Sequence, residues 1–388
     1  MSENGFTGAS SRIKKIRYAV TVFLVLFVIV AVFSYREDLT VENFRYLMKY
    51  VDVRPVRFGS GENARINFES DSSTVTASFK EDLVAVSKTA VRIYDLSSKE
   101  TLTSKHTLTR PQISTGKKYF AVYDLGSRYL GIYNSFSKLW EINLDYPIYD
   151  VKLDDKGSFC VVTASKGYAS ALKVYNSSFD NMFNWRSSDK YAVTADIMTD
   201  GDVYLAVGAL RANSSGDMVS SLIFLSNASS EPLFTLDFEG EMALEAVFNE
   251  DGRVVFLTDK ALRFTDRSGK ILKEYSLNPK SIRKFGVGEK YTALVLNENL
   301  VGKDHKAIIF DEDGNTYFEK TVKSEITDIA LSDGFLFLLG VEDISVLNLK
   351  DKTAKTYPSE RSYRSVELFD EETVYLVYDG LAEARVVE

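Results

Sequence analysis

A strand that closes on an aromatic or aliphatic residue, followed by Asp or Asn and a turn, recurs along this chain. Its instances are RIYDL at 92–96, GIYNS at 131–135, KVYNS at 173–177, IFLSN at 223–227, RFTDR at 263–267, IIFDE at 308–312 and SVLNL at 345–349. The chain ends on ARVVE at 384–388, in the same phase. With Tyr94, Tyr133, Tyr175, Leu225, Phe264, Phe310, Leu347 and Val386 as markers, the spacings are 39, 42, 50, 39, 46, 37 and 39. A period of about forty residues made of short alternating strands is that of a four-stranded propeller blade. The third repeat predicts strands at 149–153, 158–164, 171–175 and 182–185; the fifth predicts 244–248, 254–258, 261–265 and 271–276. Turns rich in Asp, Asn and Gly separate them. The last repeat stops after its third strand, and ARINFE at 64–69 lacks a blade of its own. That strand is expected to complete the last blade and remove the open edge. The fold class is therefore all-β: an eight-bladed β-propeller, with seven blades the alternative because the fourth and last repeats are the least regular.

Composition agrees with a packed β domain and narrows its partners. Tyr (22) and Phe (25) are abundant and Pro (6) is scarce, a balance that suits pleated, half-buried surfaces. The formal charge is −8. Residues 1–34 carry Arg12, Lys14, Lys15 and Arg17 against Glu3, so the remainder is −8 − 3 = −11. An acidic body repels phosphate backbones, so no nucleic acid is expected as partner. The one cysteine, Cys160, excludes an intramolecular disulfide. It sits in the apolar strand SFCVV and reads as a buried small hydrophobe.

Ahead of the repeats, Tyr18 to Tyr35 reads YAVTVFLVLFVIVAVFSY without a charge. As a helix it would span about 27 Å, close to the hydrocarbon core of a bilayer. The basic residues before it are expected to stay in the cytoplasm by the positive-inside rule, which puts the C-terminal domain outside. A cleaved signal peptide is the rival; the run is long for one and no A-x-A site follows. Next, Phe44, Leu47, Met48 and Val51 share one face of a short helix from about Thr40 to Tyr50. That face could pack beneath the propeller, lie on the membrane or pair with a partner. The expected organisation is a basic cytoplasmic N-terminus at 1–17, a single-pass transmembrane helix at 18–35, a juxtamembrane amphipathic helix and linker at 36–63, and the propeller at 64–388.

Repeat and anchor together resemble WD40-like and PQQ-like propellers. More narrowly, the basic start Arg12–Arg17, the apolar span and repeats such as SKLWEINL at 137–144 and GKILKEYSL at 269–277 resemble the membrane-anchored proteins of Firmicutes-type Gram-positive bacteria grouped as domain of unknown function 5711. The resemblance implies a propeller and an envelope location, and it implies no reaction. The Trp-Asp dipeptide of WD40 blades is absent. With only Trp140 and Trp185, the tryptophan docking of quinone-dependent dehydrogenases is missing as well.

No constellation of catalytic residues emerges: there is no G-x-S-x-G, Walker A, G-x-G-x-x-G before a helix, or H-E-x-x-H. His106 and His305 read as surface residues. Two histidines and one cysteine are too few for a zinc site, and Asp311-Glu312-Asp313-Gly314-Asn315 reads as an acidic turn in place of a calcium loop. No enzyme activity, cofactor or metal is expected. What remains is surface. In a propeller the connectors between second and third strands share a face with those leading from one blade to the next. Two such connectors read as long insertions, Gly208–Val219 and Asn297–Lys306, and insertions on one face often mark binding. Trp185, Arg186, Tyr191, Arg211, Arg361, Tyr363 and Arg364 flank connectors of that face, and Tyr, Trp and Arg most often anchor interfaces. The expected function is an extracytoplasmic scaffold that docks an envelope protein. A module for a cell-wall glycan or other ligand, and a divergent enzyme with its site in the central channel, are the rivals.

Overall fold

The computed structural model of the protein describes residues 18, 20–27, 55–58, 64–277, 282–298 and 304–387. The chain divides into two units, Met1–Asp52 and Val53–Glu388. In the first, residues 20–27 are helical. Among the described residues no helix is long and apolar enough to cross a membrane. The remainder of the expected transmembrane segment and the amphipathic helix near Thr40–Tyr50 lie outside the described residues.

The second unit is an eight-bladed propeller. Seven blades are four-stranded antiparallel sheets in simple up-and-down order, at residues 75–105, 111–143, 148–187, 191–239, 243–276, 282–322 and 326–358. The eighth takes three strands from the C-terminus, Ser365–Leu368, Thr373–Tyr378 and Leu381–Val386. Its fourth comes from the N-terminal side: Ala64–Asn67 pairs antiparallel with residues 381–384. Val56–Arg57 then extends the same edge in parallel, opposite Arg385 and Val386. The propeller body thus begins upstream of residue 64, and the ring closes as the sequence predicts.

The first strand of each blade is innermost and touches its counterpart in neighbouring blades. Strands are lettered A to D from the axis outward. Strand B is buried without interruption and mostly apolar, as in Asp82–Val86, Val254–Thr258 and Phe335–Gly340. It is covered on both faces, so it shows no alternation. Strand D alternates, as in Phe234–Glu239, because one face meets solvent. The core is accordingly a series of layers between blades. Ala121, Tyr123, Leu130 and Ile132 of blade 2, for example, pack on Ile148, Val151, Phe159 and Val161 of blade 3. Cys160 is fully buried, and burial drives its thiol pKa well above the ordinary value.

The Asp or Asn of the repeat closes the turn between strands C and D. The Asp95 carboxylate accepts the amides of Ser97 and Lys99 at 2.9 and 3.0 Å. Asn176, Asp266 and Asp311 take the amides two and four residues ahead in the same way. Asp311 is thus occupied by its own turn. Among the described residues no three His, Cys, Asp or Glu side chains converge on a metal-sized point.

Two expectations need correction. Gly208–Val219 is mostly ladder: Gly208 to Ala212 pairs with Leu222 to Met218, and only 213–217 turn. The extra residues of the fourth repeat lengthen strands. Gly208 looked like a loop residue, but a Cβ there would meet Thr194 Cγ2 at 2.7 Å, so close packing explains the glycine. His305 is buried at the start of strand His305–Phe310, opposite Val322, and His106 is half-buried, its Nε2 2.8 Å from the Ser87 carbonyl. Part of the connector before His305 lies outside the described residues.

Candidate interaction face

Five consecutive A strands carry a β-bulge at the same register. The extra residue is Tyr149 in blade 3, Val193 in blade 4, Leu244 in blade 5, Arg283 in blade 6 and Thr327 in blade 7. A bulge re-aims its side chain out of the pleat. The next residue of each strand, Asp150, Thr194, Glu245, Lys284 and Asp328, ties one blade to another. Asp328 accepts the Val366 amide at 3.1 Å and Lys284 Nζ at 3.1 Å. Thr194 Oγ1 donates to Glu245 at 3.1 Å, and Tyr123 OH lies 3.5 Å from Asp150. Two residues on, Asp196 accepts the Phe248 amide at 2.8 Å.

Burial pushes the Asp150 carboxyl up and lifts Asp196 to about 6. Lys152 is opposed by burial, yet Asp150, Glu245 and Asp196 outweigh it and hold its pKa high. Perturbed groups in a channel are one signature of catalysis. Here Asp196 and Asp328 already hold amides of the neighbouring blade, as structural clamps would. At the other end of the axis Lys117 joins Asp155 at 2.9 Å and Glu289 at 2.7 Å. Blades 2 and 6 lie opposite in the ring, so this tie straddles the channel mouth on the face made by the A–B and C–D turns.

On the opposite face, of D–A and B–C connectors, six large apolar side chains are exposed over blades 3 to 5, among charged neighbours such as Lys166, Asp189, Asp217 and Asp259. Tyr191 is 61% exposed, Met218 46% and Tyr149 45%, and Tyr168, Val193 and Met242 are exposed as well. Large exposed apolar residues at the C–D end of the ring, such as Leu139, Met182, Leu233 and Ile271, come one per blade on or beside outer strands.

The residues singled out from sequence divide between this arc and the ring closure. Tyr191 stands in the arc. Arg186 lies 5.4 Å from the Tyr168 ring, and Arg211 pairs with Asp237 at 2.8 Å. Trp185 is half-buried against the core between blades 3 and 4. At the closure Tyr363 is buried, its OH donating to Glu383 at 2.7 Å. Glu383 is wholly buried and also meets Arg385 at 3.0 Å, Arg65 at 3.3 Å and Arg361 at 3.5 Å. Burial opposes its charge, but Tyr363 and the arginines prevail and keep its pKa below the ordinary value. Arg364 pairs with Asp379. Sequence reasoning missed Tyr149, Tyr168, Val193, Met218 and Met242. Nothing local distinguishes them from core residues, since the bulge register and the long blade-4 hairpin decide their exposure.

The profile described as "Family of unknown function (DUF5711)" matches residues 61–383. The chain belongs to this family. The match of this DUF5711 protein spans the closing strand Ala64–Asn67 and seven blades, and ends within the last strand of the eighth, Leu381–Val386. No curated protein matches it in sequence. Among solved structures it is similar to a eukaryotic initiation factor, with 12% identity, TM-score 0.54 and 80% and 83% of the two chains covered. It is similar also to BamB from Moraxella catarrhalis, with 11% identity, TM-score 0.54 and 82% and 97% covered. At such identities the likeness is one of fold.

Proposed function

We propose that this DUF5711 protein is a membrane-tethered, extracytoplasmic scaffold that docks a protein of the cell envelope through the arc over blades 3 to 5. The observation that carries the reading is the exposure of Tyr149, Tyr168, Tyr191, Val193, Met218 and Met242 along one arc of one face. Apolar surface of this kind, bordered by Arg186 and Arg211, is what interface cores are made of. Each such side chain fully covered by a partner is worth about 1.5–3 kcal/mol. Rigid blades hold the arc in place, so little ordering cost opposes binding. The tether is the apolar run after the basic residues 12–17; its helical residues 20–27 are all exposed, Phe23 at 70%, as a lipid-facing helix would be.

Photo-crosslinkers at Tyr191 and Met218, with controls at Asp155 and Asp266 on the other face, test the reading in native membranes. A discrete protein adduct from the first pair alone supports it; equal labelling from both faces, or none, overturns it. Topology is tested with engineered cysteines, since the native Cys160 is buried. An impermeant thiol reagent should label a cysteine placed after Val387 and spare one placed before Arg12.

A further inference from the structure

The junction between blades 8 and 1, which follows the closing strand Ala64–Asn67, is built differently from the others. At the clamp register blade 8 has Ser365 and blade 1 has Thr76, with Glu367 two residues beyond Ser365. Thr76 Oγ1 lies 3.3 Å from Ser365 Oγ and donates to Glu367 Oε1 at 3.3 Å. Beside them is a cleft of about 250 Å³. Its walls include Phe68 and Tyr378, its floor Thr76, Ser365 and Glu367, and its mouth Arg364 and Asp379. The mouth is held by backbone: the Phe68 amide donates to the Gly380 carbonyl at 2.9 Å. Gly380 has φ +66°, and a Cβ there would meet the Phe68 carbonyl oxygen at 2.9 Å.

Glu367 is the unusual group. Among the described residues no Lys or Arg forms an ion pair with it; Arg364, which lines the same cleft, pairs with Asp379. Burial is the chief cause that raises its pKa, to about 8, with Asp328 adding to it and Ser365 and Thr76 opposing it. A carboxyl largely withdrawn from solvent, with no cation paired to it and with Phe68 and Tyr378 lining the same cleft, has the chemistry of an ammonium site. An –NH₃⁺ group has three donors and no acceptor. The floor offers three acceptor oxygens on neighbouring side chains.

We propose that this cleft binds a small primary amine, its ammonium seated on Glu367 while Thr76 and Ser365 accept the remaining N–H groups. Phe68 and Tyr378 flank the amine's carbon chain. On binding, Glu367 gives its proton to solvent and pairs with the ligand's charge. The other charged groups of this neighbourhood are Asp328 on the adjoining A strand, with its partner Lys284, and the Arg364–Asp379 pair; β-strand Val75–Phe79 of blade 1 adds no charge.

The test is calorimetric titration of the full chain with n-butylamine, with n-butanol as the neutral control. The amine is expected to bind at pH 7, where Glu367 is still largely protonated, with release of a proton, and the alcohol to show no binding. Glu367→Gln should weaken amine binding at least tenfold while the protein melts no lower than before. The double variant Thr76→Val, Ser365→Ala should weaken it without abolishing proton release. Equal binding of amine and alcohol, undiminished binding to Glu367→Gln, or no binding of the amine overturns the proposal.

Discussion

The two faces of the ring are finished in different ways. On the A–B and C–D face the blades are stitched together. Arg267 reaches Asp200 at 2.8 Å between blades 5 and 4, and Arg253 reaches Asp313 at 3.0 Å between blades 5 and 6. Lys290 meets Asp333 at 2.8 Å between blades 6 and 7, and Lys117 crosses the axis. These ties lie at solvent, where each is worth little and salt screens it. The D–A and B–C face carries the apolar arc over blades 3 to 5 and, across the ring, the buried hub of Glu383 with the neighbouring cleft. One face spreads its polar contacts evenly; the other concentrates burial at the closure and leaves an apolar surface uncovered elsewhere.

The largest test of this contrast is at the hub. Glu383→Ala removes the buried carboxylate that Tyr363, Arg385, Arg65 and Arg361 share and cuts the tie from Arg65 to the C-terminal strand. It should destabilise the fold by about 3–5 kcal/mol, read by chemical denaturation, with the closing strand the first to lose amide-exchange protection. If the loss is below about 1 kcal/mol, the closure is not the face's structural centre.

Glu367→Gln should act in the opposite direction. The folded-state pKa of about 8 lies above the ordinary glutamate value of 4.5, so the folded protein keeps a proton that the unfolded chain gives up. Stability should therefore fall as pH rises through that window and stay level outside it. The variant should flatten this slope and be more stable than the parent at pH 8, by something on the order of 3 kcal/mol. A parent whose denaturation midpoint does not change from pH 5 to pH 8 contradicts the assignment.

In the apolar arc, Tyr191→Ser with Met218→Ser should leave stability within about 0.5 kcal/mol, as surface changes do. The same pair should weaken partner capture tenfold or more, about 1.4 kcal/mol. A fall in melting temperature matching the loss of capture would mean that the arc is structural. The smallest effect is expected at the straddling tie. Lys117→Ala should cost less than about 1 kcal/mol, and the cost should vanish in high salt. A larger, salt-resistant loss would mean that the A–B face holds the ring as strongly as the hub does.

Much of the architecture was legible in local chemistry. The marker Asp95, Asn176, Asp266 and Asp311 are visible in sequence because each satisfies its turn from within a few residues. The completing strand at 64–67 was legible because the last repeat lacks its fourth strand. Reading the site was harder. Tyr363 and Trp185 have interface chemistry but turn inward, since a hub carboxylate and a blade–blade layer claim them. Gly208 mimics a loop residue yet serves close strand packing.

By itself the sequence determined the class of fold, the phase of the repeats, the way the ring closes and the acidic character of the body, while the choice of eight blades over seven came from the sheet topology. Those properties follow from turn chemistry, from alternation along single strands and from counted charge, all of which act over a few residues. Tertiary structure alone decided the bulge in five consecutive A strands, the apolar arc that Tyr149 and Val193 join through it, and the unpaired acid of the closure cleft. Each depends on what a neighbouring blade brings to the same point. Thr76 and Glu367, which share one cleft, are separated by 291 positions in the chain, a distance over which no periodicity carries information.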